Sequence, residues 1–440
     1  MLWQIKTILR CQFPDLSKEL SSISDPRKGE HYSIEELVMA AVVLFILKCS
    51  SRNDFNNKCQ NEQFRRNYYR MFSLELPQMD AVNDLFKKLD DSEMQAIRCR
   101  LISSLIEKRV FHKFRFYNKY FYIAIDGTGI YNWGENPPED IRKHALTKKY
   151  DSGKVIYFSL ILEAVLLCNN GMKIPLISEW IANDGEKYDK QDCELKAFKR
   201  LAVKLKKYFP RLNICLLTDG LYTNISMMDI CRQYGWKYIT VFKDGNLSSV
   251  WEEVESLLPL TQKDYWHQQI QGNTTNWIES NYRWIKDIDY NKHYIHWIEC
   301  LQKTIHRKTG VETNNRFVFL TNFEVDRQNI AFLLKAGRAR WYIEDHFNTQ
   351  KNRGGALHHK FSRKDFNALK NWHNIRQLGC MIIELLIHTA KIQEQKKEYT
   401  NLTWMELWKI LNSYLSMCDV EEQIEQWEQW AKTDRQVRLE

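Results

Sequence analysis

The chain has 440 residues, 44% of them apolar and 27% charged, with a formal net charge of +9. Such length and apolar content exclude a disordered chain and a minimal disulfide-stapled fold, and they admit two or three domains with a sizeable core. The positive balance favours a polyanionic partner, nucleic acid first, although an ordinary basic soluble protein carries a similar excess.

Eleven cysteines, an odd number without any C-x-x-C pair, give no disulfide framework and no structural zinc spacing, so a reducing compartment is expected. The opening "MLWQIKTILRCQF" is too short and too charged for a signal peptide. The longest apolar run, "LVMAAVVLFIL" from Leu37 to Leu47, falls short of the ~20 residues that span a bilayer and reads as a core helix. The expectation is a cytoplasmic, nucleoid-associated protein with no membrane segment.

Residues 1–115 read as helical, with possible DNA binding. "SIEELVMAAVVLFILKCS" opens on Ser33 with Glu36 three residues later, a capping-box pattern. "LPQMDAVNDLFKKLDD" and "DSEMQAIRCRLISSLIEKRV" repeat apolar residues at helical spacing. Over 116–242 the pattern switches. "KYFYIAID" is a strand expected to end at Asp126, before Gly127. "VIYFSLILEAVLLC" and "KIPLISEWIA" are two more strands, turned at Asn169, Asn170 and Gly171. "CELKAFKRLAVKLKKYF" is a basic amphipathic helix, and the acids before it, Asp184, Glu186, Asp189 and Asp192, read as helix N-terminal acids. "NICLLTD" is a strand ending at Asp219, "NISMMDICRQYG" a helix closed by Gly235, and "WKYITVF" a further strand. This order implies an α/β fold with a mixed sheet and flanking helices. Residues 243–326 read as a strand-rich insertion, residues 327–395 as a return to the core, and residues 396–440 as a helical C-terminal region.

Three carboxylates stand out. Asp126 and Asp219 each close a buried strand, where active sites of open sheets gather. Glu344 lies in "RARWYIEDHFNTQK", four residues after Arg340 and seven before Lys351. At roughly 100° per residue, Glu344 and Lys351 fall within about 40° of Arg340, on one helical stripe. If the three acids converge, they make a hard-oxygen site for Mg²⁺ or Mn²⁺, two ions serving phosphoryl transfer. Each acid also has a plainer reading. Asp-Gly is a common turn signal, and Arg340 with Glu344 makes an ordinary helical ion pair.

Taken together, "AIDGTG" at Asp126, "LLTDGLY" at Asp219 and "RWYIEDHFNTQK" with Arg340, Glu344 and Lys351 resemble the DDE transposases of bacterial insertion sequences. The likeness is to the insertion-sequence family four group, with its Y-x2-R-x3-E-x6-K signature, and it covers roughly residues 119–390. It implies an RNase H-like fold with a strand-rich insertion between the second Asp and the Glu. It implies Asp126, Asp219 and Glu344 as catalytic metal ligands, and cleavage at transposon ends followed by strand transfer into target DNA. Double-stranded DNA would be the partner, engaged by a homodimer. Arg340 and Lys351 would hold DNA phosphates. Arg353, Lys360, Arg363 and Lys364 follow the same stretch and read either as a solvated face or, from their place beside the site, as contacts to the DNA backbone. "RFVFLTN" puts Phe317 where related enzymes stack an aromatic ring on a flipped base; Phe317 as a core residue stands equally open, with Trp277 and Trp284 as alternatives. The signature tyrosine falls on Gly337, which leaves the end-processing route open. A nuclease without strand transfer, and a non-catalytic DNA-binding descendant, are the competing readings.

Overall fold

The computed structural model describes residues 1–28, 31–117, 119–183, 190–261, 266–432 and 437–439. Asp184, Glu186 and Asp189 lie outside the described residues. The chain divides into two compact units. The first comprises Met1–Phe114, Gly127–Pro210 and Asp345–Glu440, and the second Arg115–Asp126 and Arg211–Glu344. It is a mixed α/β protein with ten strands among the described residues: β1 (Phe121–Gly134), β2 (Leu146–Lys149), β3 (Val155–Leu167), β4 (Lys173–Ile181), β5 (Ile214–Thr218), β6 (Lys237–Val241), β7 (Trp266–Gly272), β8 (Asn276–Tyr290), β9 (His293–His306) and β10 (Glu312–Thr321).

In the first unit the apolar run forms the helix Ile34–Ile46. Ser33 and Glu36 exchange both hydrogen bonds of the capping box there, which satisfies two donors that a helix start would leave orphaned. The helix is buried on nearly every side, as its composition demands. Among the described residues no helix is long and apolar enough to cross a membrane. Its main neighbour is the long helix Phe366–Ile387. The two approach closely at Gly379, where a Cβ would stand 2.6 Å from that of Phe45. β3 and β4 form an antiparallel hairpin, and its turn passes through Gly171 at φ +88°, a conformation glycine adopts without steric cost. β2 pairs with β3 on the other side, an element absent from the sequence reading.

A buried polar cluster sits inside this unit. Glu163 is fully buried, with His373 Nε2 3.2 Å from its Oε1 and His346 Nε2 3.5 Å from its Oε2. Gln377 donates to the same carboxylate at 2.6 Å. Arg376 Nη1 lies 3.5 Å from His373 Nδ1. A guanidinium can only donate, so Nδ1 accepts and the proton of neutral His373 sits on Nε2, facing Glu163 and Ser178 Oγ.

In the second unit β1, β5 and β6 are parallel neighbours, with Phe121–Ala124 matched to Ile214–Leu217. All five β5 residues are buried, which fits a parallel strand covered on both faces. β10 joins β6 antiparallel, and β10, β9, β8 and β7 continue as an antiparallel sheet. Glu299 on β9 is completely buried, and it is satisfied from both flanking strands by Arg283 Nε and Arg316 Nε, each at 2.7 Å. Before these strands runs the helix Ser248–Thr261, with Val250 and Val254 buried; the sequence reading assigned no helix there.

One expectation is corrected. β1 does not end at Asp126 but continues to Gly134, so Asp126-Gly127 is strand rather than turn. The Glu194 carboxylate packs over Gly127, 2.6 Å from where a Cβ would stand, and would have to swing aside for a larger residue.

Candidate active site

Strand register brings Asp126 and Asp219 to one level. Two residues beyond the matched pair Ala124–Leu217 come Asp126 on β1 and Asp219 just past β5. Asp219 is still extended, at φ −85° and ψ 177°. Equal steps along paired strands leave side chains on the same side of the sheet. The backbone of Asp219 is pinned from below: Thr218 Oγ1 donates to Thr240 Oγ1 at 2.9 Å, and Thr240 Oγ1 lies 3.2 Å from the Asp219 carbonyl oxygen. The Asp219 carboxylate accepts from the Leu221 amide at 2.8 Å, capping a single 3₁₀ turn.

Glu344 is the third residue of the helix Tyr342–Asn352. Arg340 precedes it in a 3₁₀ turn, Ala339–Trp341, which joins this helix to Ile330–Arg338. Arg340 Nη2 donates to Glu344 Oε1 at 2.8 Å, and Nη1 lies 3.4 Å from Asp126 Oδ2. One guanidinium therefore bridges the strand acid and the helix acid. Its side chain is only 8% exposed, against 21% for Asp126 and 42% for Glu344. The pair is thus not the solvated helix-surface bridge of the plainer reading; a buried guanidinium holds its place only when paired.

A residue missed in the sequence completes the charge pattern. Lys243 Nζ stands 3.6 Å from Asp219 Oδ2. Its position follows from the turn after β6: Asn246 Nδ2 donates to the Gly220 carbonyl at 2.6 Å, and a Cβ on Gly220 would come within 3.1 Å of Lys243 Cδ. A lysine just past a short strand parallel to β5 was the available signal.

The other expected residues fall as follows. Lys351 is half-buried in the first unit and donates to Thr128 Oγ1 at 2.6 Å; burial lowers its pKa. Arg353 is well exposed and loosely paired with Asp345 at 4.0 Å, while Asp345 is held by Lys173 at 2.6 Å. Lys360 is committed to the Asn132 carbonyl at 2.6 Å. Phe317 is half-buried on β10 and covered by the Arg338 guanidinium, 4.1 Å from its ring centre. Trp284 is core, whereas Trp277 is half exposed with Arg307 4.6 Å over its ring. Beside Arg340, Trp341 and Tyr342 are exposed by 59% and 49%.

The acid set offers only carboxylate oxygens, the donors that hard divalent cations take. Asp126 and Glu344 already converge on one cationic group, and Asp219 shares the level of Asp126, so the residues suit such an ion chemically. Among the described residues no set of three or more His, Cys, Asp or Glu side chains stands in a metal-holding arrangement, and the guanidinium of Arg340 lies between two of the acids. No protein-family model matches the chain, and no curated protein matches it.

Proposed function

We propose that this chain is a DNA transposase of the DDE type with an RNase H-like catalytic core. The observation that carries the reading is how Asp126, Asp219 and Glu344 are placed. Asp126 stands on β1 and Asp219 just past the parallel neighbour β5, at one level, and Glu344 is joined to Asp126 through Arg340. The strand arrangement supports it as well. Within the second unit β1 pairs along its first residues in parallel with β5, and β5 in parallel with β6.

Asp126, Asp219 and Glu344 would hold Mg²⁺ or Mn²⁺, two ions in the full reaction. Such an ion, when bound, lowers the pKa of an attacking water or 3′-hydroxyl and stabilises the leaving oxygen. The chain's own groups do the rest. The Thr218–Thr240 hydroxyl pair and the Leu221 amide fix the direction of the Asp219 carboxylate. Lys243, Lys351 and Arg353 offer cations to DNA phosphates, Lys as a point charge and Arg as a planar fork. Arg340 can do so only after leaving its two acids. Trp341 and Tyr342 present ring faces on which unpaired bases stack, an interaction worth roughly 1–3 kcal/mol per base. Action as a homodimer on paired element ends, and residence beside the nucleoid, belong to the same proposal.

The test searches the DNA flanking the gene for inverted repeats and uses duplexes that carry those ends, with Mg²⁺ or Mn²⁺. Cleavage at the repeat end followed by joining to a target duplex is expected. Cleavage without joining makes the protein a nuclease, and binding without either makes it a non-catalytic descendant.

A further inference from the structure

We propose that Arg340 and Lys243 are exchangeable counter-ions of the acid cluster: each occupies carboxylate oxygens that a divalent cation would take, and binding of that cation releases them. The inference rests on the metal reading of Asp126, Asp219 and Glu344. Its grounds are the positions of the two cations themselves.

Asp126 and Glu344 share one guanidinium and Asp219 stands level with Asp126 on the neighbouring strand, and carboxylates held this near one another repel, at a cost that falls if positive charge lies among them. The chain supplies that charge from two residues. Arg340 takes Asp126 and Glu344 together at 3.4 and 2.8 Å, and Lys243 stands 3.6 Å from Asp219. The two contacts differ in strength. The Lys243 side chain is 61% exposed, and its long ion pair is of the weak, screened kind. Arg340 is buried, but its Nε has no hydrogen-bond partner among the described residues. It also sits in a 3₁₀ turn between two helices, the sort of mid-helix interruption that marks a hinge. Trp341, 59% exposed, already has the guanidinium 5.2 Å from its ring centre, so a released Arg340 finds a ring face next to the acids. A carboxylate oxygen cannot serve a guanidinium at hydrogen-bond distance and a small divalent ion at full strength together. Occupancy of one therefore weakens the other, and by linkage the weakening is equal in both directions.

The experiment is calorimetric titration of Mn²⁺ into the full-length protein without DNA, for wild type, Arg340→Gln, Arg340→Lys, Lys243→Gln and Asp126→Asn, each checked by circular dichroism and thermal unfolding. Arg340→Gln should bind Mn²⁺ about tenfold or more tightly than wild type, the size of one charge-assisted hydrogen bond lost from the competing state. Lys243→Gln should tighten binding by less, and Arg340→Lys should fall between wild type and Arg340→Gln. Added Mn²⁺ should raise the melting temperature of Arg340→Gln more than that of wild type. If Arg340→Gln is unfolded without metal, the Arg340→Lys and Lys243→Gln titrations decide. Unchanged or weaker binding in the variants, with Asp126→Asn abolishing binding, overturns the exchange and makes Arg340 an organiser of the acids. No Mn²⁺ binding by wild type or any variant overturns the metal reading, and this inference with it.

Discussion

Gly337 lies directly against the ring of Phe319: a Cβ at position 337 would stand 2.8 Å from Phe319 Cε1. Glycine inside a helix is normally a weakness of about 1 kcal/mol relative to alanine. Here the relation inverts, because Phe319 is 4% exposed on β10 and has little room to withdraw. Gly337→Ala is expected to destabilise the protein by about 1–3 kcal/mol, the usual cost of overpacking a filled core. Adding Phe319→Leu should recover part of that loss. Urea unfolding of the single and double variants checks this, and a stabilised Gly337→Ala would contradict the packing. The same contact leaves no room at position 337 for a larger side chain while Phe319 keeps its place.

Acid should weaken the first unit through His373. Burial pushes this imidazole down to about 4 from an ordinary 6.5, so the folded protein keeps it neutral while the unfolded chain takes up a proton. The unfolded state then binds more protons between those two values, and stability falls as pH drops from about 6.5 toward 4, by up to about 1.4 kcal/mol per pH unit. Glu163 adds to the loss at still lower pH. Burial works against its charge, but hydrogen bonds from His346 and His373 more than offset this and hold the carboxyl below its ordinary range. His373→Gln should flatten the stability profile between pH 6.5 and 4. His296 and His359, also lowered by burial, leave a residual slope. A variant with the wild-type slope would show that another group carries the acid sensitivity.

Lys351 and Arg340 should behave differently toward DNA. Lys351 is half-buried and gives its ammonium to a neutral hydroxyl, Thr128, with no ion pair among the described residues. Lys351→Ala is expected to reduce the salt dependence of binding to end DNA by about one unit of slope. Arg340 is neutralised by two acids before metal arrives, so Arg340→Gln should leave the metal-free salt slope near that of wild type. A salt series of binding constants in chelator separates the two. Equal slopes for wild type and Lys351→Ala would remove Lys351 from the phosphate contacts.

Several features were legible in the sequence because local chemistry decides them. The Ser33–Glu36 capping box and the Gly171 turn are examples, as is the helix closed by Gly235 at φ +70°. The strand-end position of Asp219 belongs with them. Asp126 was misread for an equally local reason. An Asp-Gly pair ordinarily signals a turn, whereas Gly127 here lies inside a strand that runs on to Gly134. The helix Ser248–Thr261 was missed although Val250 and Val254 stand at helical spacing, because the surrounding turn residues dominated the pattern. The helical stripe of Arg340 and Glu344 was visible, but not what it faces. That Arg340 is buried against Asp126 depends on residues 214 positions apart, and no local periodicity reports it.

The most direct test of the account replaces each acid by its neutral isostere, Asp126→Asn, Asp219→Asn and Glu344→Gln. Cleavage of end DNA in Mg²⁺ is measured beside binding of the same DNA. Each variant should lose cleavage by about three orders of magnitude or more, on the scale of losing a group that acts on the reacting phosphate. DNA binding should stay within a few-fold of wild type, because the basic surface supplies most of it. Wild-type cleavage by any one of the three, or cleavage by the wild-type protein in chelator, would contradict the claim that these carboxylates are one metal-dependent catalytic site.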